Sequence, residues 1–87
     1  MVNQKIVVKN PSGIHARPAS VFVGAAGKFK SKITILKGDN RINGKSIISV
    51  LSGAITCGSE IDLVVEGPDE NEALTSLIAL IESGLGE

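Results

Sequence analysis

The 87-residue chain is predicted to fold as an α+β, two-layer open-faced sandwich: a four-stranded, mostly antiparallel sheet with three helices on one face. Three observations carry that expectation. Short β-branched runs alternate with segments whose apolar residues recur at helical spacing, in the order strand, helix, two strands, helix, strand, helix. The three helical segments are amphipathic, so they must share one apolar interface with the strands. Lysines and Thr34 interrupt the strands, which predicts that the second sheet face is open to solvent. The length fits one domain spanning 1–87, with a modest aliphatic core.

Each element has a local reason. Residues 4–10 hold Ile6, Val7 and Val8 between lysines and predict the first strand, stopped by Pro11-Ser12-Gly13. Residues 16–28 carry Ala19, Phe22, Val23 and Ala26 on one helical stripe. Pro18 is tolerated there because the first turn has no intrahelical acceptor for its backbone N–H groups. Residues 32–36 are β-branched-rich, and Lys37-Gly38-Asp39 predicts a hairpin loop into a short strand at 40–43. Ser46 suits the N-cap of a short helix carrying Ile47, Ile48, Val50 and Leu51. Residues 60–66 form another strand. Asp69 and Glu72 then read as a capping-box variant opening a last helix, with Leu74, Leu77, Ile78 and Ile81 as its buried stripe and Gly84 as its stop.

Composition narrows function. Phe22 and Phe29 are the only aromatic residues, too few for the stacking platforms of single-stranded nucleic-acid binders, so no direct nucleic-acid partner is expected. Cys57 is alone, which excludes an internal disulfide and a zinc framework, and neither a metal nor a cofactor is expected. With no leader-like segment after Met1 and no run of membrane-spanning length, the reading is a cytoplasmic protein without membrane insertion. The net charge is zero, yet all nine basic residues lie at or before Lys45 and every acid except Asp39 lies at or after Glu60. Such complete segregation predicts two patches of opposite sign that steer association with protein partners.

The only histidine, His15, stands in the run Gly-Ile-His-Ala-Arg-Pro-Ala-Ser at 13–20. As an N-cap it would leave the N–H groups of Ala16 and Arg17 pointing out of the helix end, where anions and phosphate bind. Arg17 adds a charge-assisted donor to phosphate oxygens. Neutral imidazole is a competent nucleophile near neutral pH, and phosphoryl transfer asks the protein mainly for positioning and charge stabilisation. No metal cluster, base partner or nucleotide loop accompanies these parts, so the constellation fits a carrier rather than a self-sufficient catalyst. The plain alternative is an ordinary surface histidine.

This segment, together with Asn-Gly-Lys-Ser-Ile at 43–47 and Asp-Glu-Asn-Glu-Ala-Leu at 69–74, resembles the HPr family, the histidine-containing phosphocarriers of the bacterial phosphoenolpyruvate-dependent sugar phosphotransferase system, Gram-positive type. The resemblance covers essentially the whole chain. It implies that His15 accepts a phosphoryl group on Nδ1 from phosphorylated Enzyme I and passes it to sugar-specific IIA domains. Arg17 would assist, with Ser12 and the amides of Ala16 and Arg17 binding the phosphate. It also implies regulatory phosphorylation of Ser46 by an ATP-dependent HPr kinase/phosphorylase, and docking of partners on Ile47, Ile48 and Leu51. The alternative within the family is a regulatory binding module acting through phospho-Ser46 with a catabolite-control repressor; paralogues of that kind lack the histidine. The chain departs from common Gram-positive members at 48 and 51, where methionine is frequent, at Ser49, where glycine is frequent, and at Gly53-Ala54, which reverses the usual small-residue arrangement.

Overall fold

Seven elements follow in chain order: β1 (Val2–Val7), α1 (Ala16–Ala26), β2 (Lys32–Lys37), β3 (Asn40–Asn43), α2 (Ile47–Ser52), β4 (Glu60–Glu66) and α3 (Glu70–Glu82). The structure is a computed structural model that describes residues 1–9, 14 and 16–85. The strands form one sheet in the order β1-β4-β2-β3, and all three pairings are antiparallel. One face of the sheet carries Ile33, Ile35, Ile42, Ile61, Leu63 and Val65, all buried. α1 packs against α2 and α3, α2 against β3, and α3 against β4 and β1. This is the predicted open-faced sandwich. Phe22, Leu77 and Ile81 are fully buried between the layers, and each such side chain contributes roughly 1.5–3 kcal/mol by leaving water.

The first strand starts two residues before the expected 4–10 and stops at Val7. Pairing with β4 runs from Val2 opposite Val65 to Val7 opposite Glu60, so the register extends the ladder toward the N-terminus. Val8 then turns fully into the core, while its backbone stays tied across to Ser59 and Gly58 at 2.9 and 2.7 Å. In α3 the buried stripe is Ala73, Leu77 and Ile81, with Leu74 and Ile78 half-buried beside it. The expected stripe is therefore rotated toward the small Ala73. The helix stops as predicted, with Ser83 as C-cap and Gly84 following at φ +93°.

Asp69 is the N-cap of α3, but the capping box does not form, for its side chain makes no bond to its own helix. Its carboxylate instead accepts the N–H of Lys30 at 2.9 Å, the N–H of Ser31 at 3.0 Å and the Ser31 hydroxyl. Ser31 is the fully buried polar residue of the turn between α1 and β2, so this tether satisfies two donors that water cannot reach. Gly67 permits the approach. It adopts φ +155°, and a Cβ there would lie 2.6 Å from the Ser31 Cα.

The charge segregation of the sequence does not become two patches on the sheet. Acidic β4 runs between basic β1 and β2, so Lys5 stands opposite Asp62 and Lys32 opposite Glu66 on the solvent face. Antiparallel pairing thus interleaves what the linear sequence separates, and opposite charges across strands are mildly stabilising.

Candidate functional site

α1 begins at Ala16, the residue after His15, and its first two side chains, Ala16 and Arg17, are exposed. Pro18 is the third helical residue and is buried with Ala19, so the first turn presses its apolar side inward and leaves Arg17 to solvent. The segment entering the helix is anchored just upstream. Ile14 is 3% exposed and its N–H donates to the Ile55 carbonyl at 2.9 Å. That bond joins the entrance of α1 to the chain leaving α2. An exposed guanidinium in the first turn and the dipole of an 11-residue helix place positive charge at this end of α1, the kind of environment that favours an anion. The expected roles of His15 as N-cap and Ser12 as phosphate ligand fall outside the described residues.

At the second predicted position, Ser46 is the N-cap of α2, in extended conformation at φ −113° and ψ 118°. Its hydroxyl accepts the Ser49 N–H at 3.3 Å, and its carbonyl accepts the Val50 N–H at 3.0 Å. Only Val50 of this helix is buried. Ile47, Ile48 and Leu51 are 36%, 74% and 42% exposed, so the short helix turns three aliphatic side chains outward. Four aliphatics on six residues cannot all reach the core, and Val50 is the one that does. Three large apolar residues on one short exposed helix form a surface of the kind that meets a partner.

The end of α2 is built for close packing. A side chain at Gly53 would collide with the Ile42 Cδ1. Ala54 takes the left-handed conformation at φ +52°, and its carbonyl accepts the Lys37 ammonium at 2.7 Å. The structure therefore brings Arg17, Ala16 and the exposed face of α2 to neighbouring helices joined through Ile14 and Ile55.

One residue was missed as a participant in this region. The Ser49 hydroxyl accepts the Asn43 N–H at 2.9 Å, tying the first turn of α2 to the end of β3. Its spacing from Ser46 marks a serine in the first helical turn, but nothing in the linear order says that its oxygen meets a strand.

The family model described as the PTS HPr component phosphorylation site matches residues 2–83. The chain belongs to the HPr family. The phosphocarrier protein HPr of Treponema pallidum is 46% identical over 87 residues, covering 100% of this chain and 99% of that protein. The HPr-like protein Crh of Halalkalibacterium halodurans is 48% identical over 82 residues, or 94% of this chain and 98% of that protein. Among solved structures, HPr-C-His from Thermoanaerobacter tengcongensis superposes with a TM-score of 0.97 at 44% identity, covering 100% of this chain and 98% of that one. These likenesses fix the HPr fold and the phosphocarrier class of the phosphotransferase system. Among the described residues no helix is long and apolar enough to cross a membrane.

Proposed function

We propose that residues 1–87 act as one cytoplasmic phosphocarrier domain in sugar uptake, with His15 as the residue that carries the phosphoryl group. Phosphorylated Enzyme I loses its P–N bond as a new bond forms between phosphorus and the Nδ1 of His15. A nucleophile of a IIA domain then bonds to the phosphorus as the bond to Nδ1 breaks, and the imidazole is released unchanged. Transfer through a loose in-line transition state needs the equatorial oxygens neutralised rather than covalent help. Arg17 and the amides of Ala16 and Arg17 serve that purpose, with Ser12 as a further donor to the phosphate.

The observation that carries the reading is the start of α1. The first helical residue is Ala16, next in sequence to His15, and Arg17 in the same turn is exposed. Ile47, Ile48 and Leu51 are the surface on which Enzyme I and the IIA domains dock in turn. Incubation with phosphoenolpyruvate and Enzyme I gives acid-labile, alkali-stable phosphate on the native protein and none on His15→Ala. Label that survives His15→Ala overturns the assignment.

A second role is favoured by the likeness to Crh, an HPr-like protein 48% identical to this chain. In this second role Ser46 of the present chain is phosphorylated by an ATP-dependent HPr kinase/phosphorylase. The added charge, about −1.5 to −2, sits at a helix start that tolerates it and beside the apolar docking residues, where it repels one partner and recruits a catabolite-control repressor. The fold is unchanged while partner choice changes.

A further inference from the structure

We infer that Ser49 is a positioning residue for phosphorylation of Ser46, holding the acceptor serine in the one backbone conformation that a kinase takes up. The inference rests on the reading of Ser46 as a kinase substrate. Its own support is a closed ring of bonds between the end of β3 and the first turn of α2. The Ser46 N–H donates to the Asn43 carbonyl at 3.1 Å, and the Asn43 N–H donates to the Ser49 hydroxyl at 2.9 Å. The Ser49 N–H then donates to the Ser46 hydroxyl at 3.3 Å. Inside the ring the Asn43 side-chain oxygen accepts the Lys45 N–H at 3.0 Å, which shapes the turn through Gly44.

Ser49 is the only member of this ring whose side chain reaches out of the helix to a strand. A six-residue helix has little stability of its own, and its start depends on what ties it down. The Ser49 hydroxyl supplies that tie from the helix side, so Ser46 is ordered before any partner arrives. The cost of ordering the acceptor is then not charged to the encounter with the kinase, and pre-organisation of this kind acts on binding rather than on the chemical step. Ser49 leaves the Ser46 hydroxyl proton and one of the two oxygen lone pairs free, because it donates a single backbone N–H to that oxygen.

The test compares Ser49→Ala and Ser49→Thr as full-length proteins. With the kinase and ATP, Ser49→Ala raises KM for the protein roughly three- to tenfold and leaves kcat within about twofold, while Ser49→Thr, which keeps the hydroxyl, retains the native KM. Amide exchange at Asn43 accelerates in Ser49→Ala and not in Ser49→Thr. Transfer of phosphate from Enzyme I to His15 is unchanged in both. A native KM in Ser49→Ala, or an equal rise in Ser49→Thr, overturns the inference. Native protein that takes no phosphate on Ser46 overturns the regulatory reading itself and this inference with it, an outcome separate from any change in KM.

Discussion

Ser46 and Asp69 hold the same position, the residue before the first turn of a helix, and their side chains bond in different directions. Ser46 turns its hydroxyl onto the Ser49 N–H of the helix it opens. Asp69 turns its carboxylate away, onto Lys30 and Ser31 in the turn between α1 and β2. The choice follows from what each group can reach. A serine hydroxyl is short and finds only local donors, whereas the Asp69 carboxylate lies beside a buried hydroxyl and two free N–H groups. Three donors to one anion outweigh a single bond to the helix start, and α3 keeps a favourable first turn through Glu70 and Glu72 in the field of its own dipole. The lesson is that a cap residue serves its helix when it is isolated and serves the tertiary fold when better donors stand nearby.

The comparison breaks most severely at Gly67. Gly67→Ala forces a Cβ against Ser31 at a backbone conformation that alanine avoids, and the tether beneath it cannot close. Urea denaturation is expected to show a loss of about 2–4 kcal/mol. Asp69→Asn, which removes the charge and keeps the shape, comes next. Its thermal midpoint falls below that of the native protein but stays above that of Gly67→Ala.

The same carboxylate gives stability a pH dependence of known sign. The bond from the Ser31 hydroxyl, then that from the Lys30 N–H, hold the Asp69 pKa below the ordinary aspartate value. A group depressed in the folded state stabilises the protein above its unfolded pKa. That contribution is lost as pH falls below about 4 through the folded value. Stability measured from pH 5 to pH 2 is expected to drop more steeply in the native protein than in Asp69→Asn. Parallel curves would show that the tether draws nothing from the charge.

Ser46 gives a smaller effect because its role in the fold is local. Ser46→Ala is expected to cost about 1 kcal/mol in urea denaturation, and Ser46→Asp to stay within about 0.5 kcal/mol of the native protein, since aspartate caps as well as serine. Under the proposed function the same Ser46→Asp slows phosphoryl transfer from Enzyme I. An unchanged rate would remove the docking explanation of regulation. One small expected change has the opposite sign. Ala54→Gly relieves a left-handed alanine at φ +52° and is expected to stabilise by about 0.5–1 kcal/mol.

The architecture and the nature of the docking helix were legible in the linear order. Period-two and helical apolar spacing are local properties, and they assign every strand and helix in its correct order, though not β1 with its correct bounds. Ser46 as a cap and the surplus of aliphatics at Ile47, Ile48 and Leu51 follow from composition over a few residues, and a six-residue helix has room to bury only Val50. The likeness carried by His15 and Arg17 rests on contiguous residues as well. What the run around His15 says about chemistry, a nucleophile followed by a cation and a helix entrance, needs no distant part of the chain.

Contacts between distant segments were decided only in three dimensions. Asp69 meets Ser31 across 38 positions, and no pattern at 69–72 distinguishes a cap from a tether. The separation of basic and acidic halves became interleaved strands because β4 inserts between β1 and β2. Ile14 is bonded to Ile55, and Ser49 to Asn43, because packing brought donor and acceptor within reach. Hydrophobic spacing along the chain is written by the covalent sequence, so the sequence determined the elements and the exposed α2 surface. Which polar group pairs with which is settled by competition among all the groups that folding brings together, and that competition exists only in the folded chain.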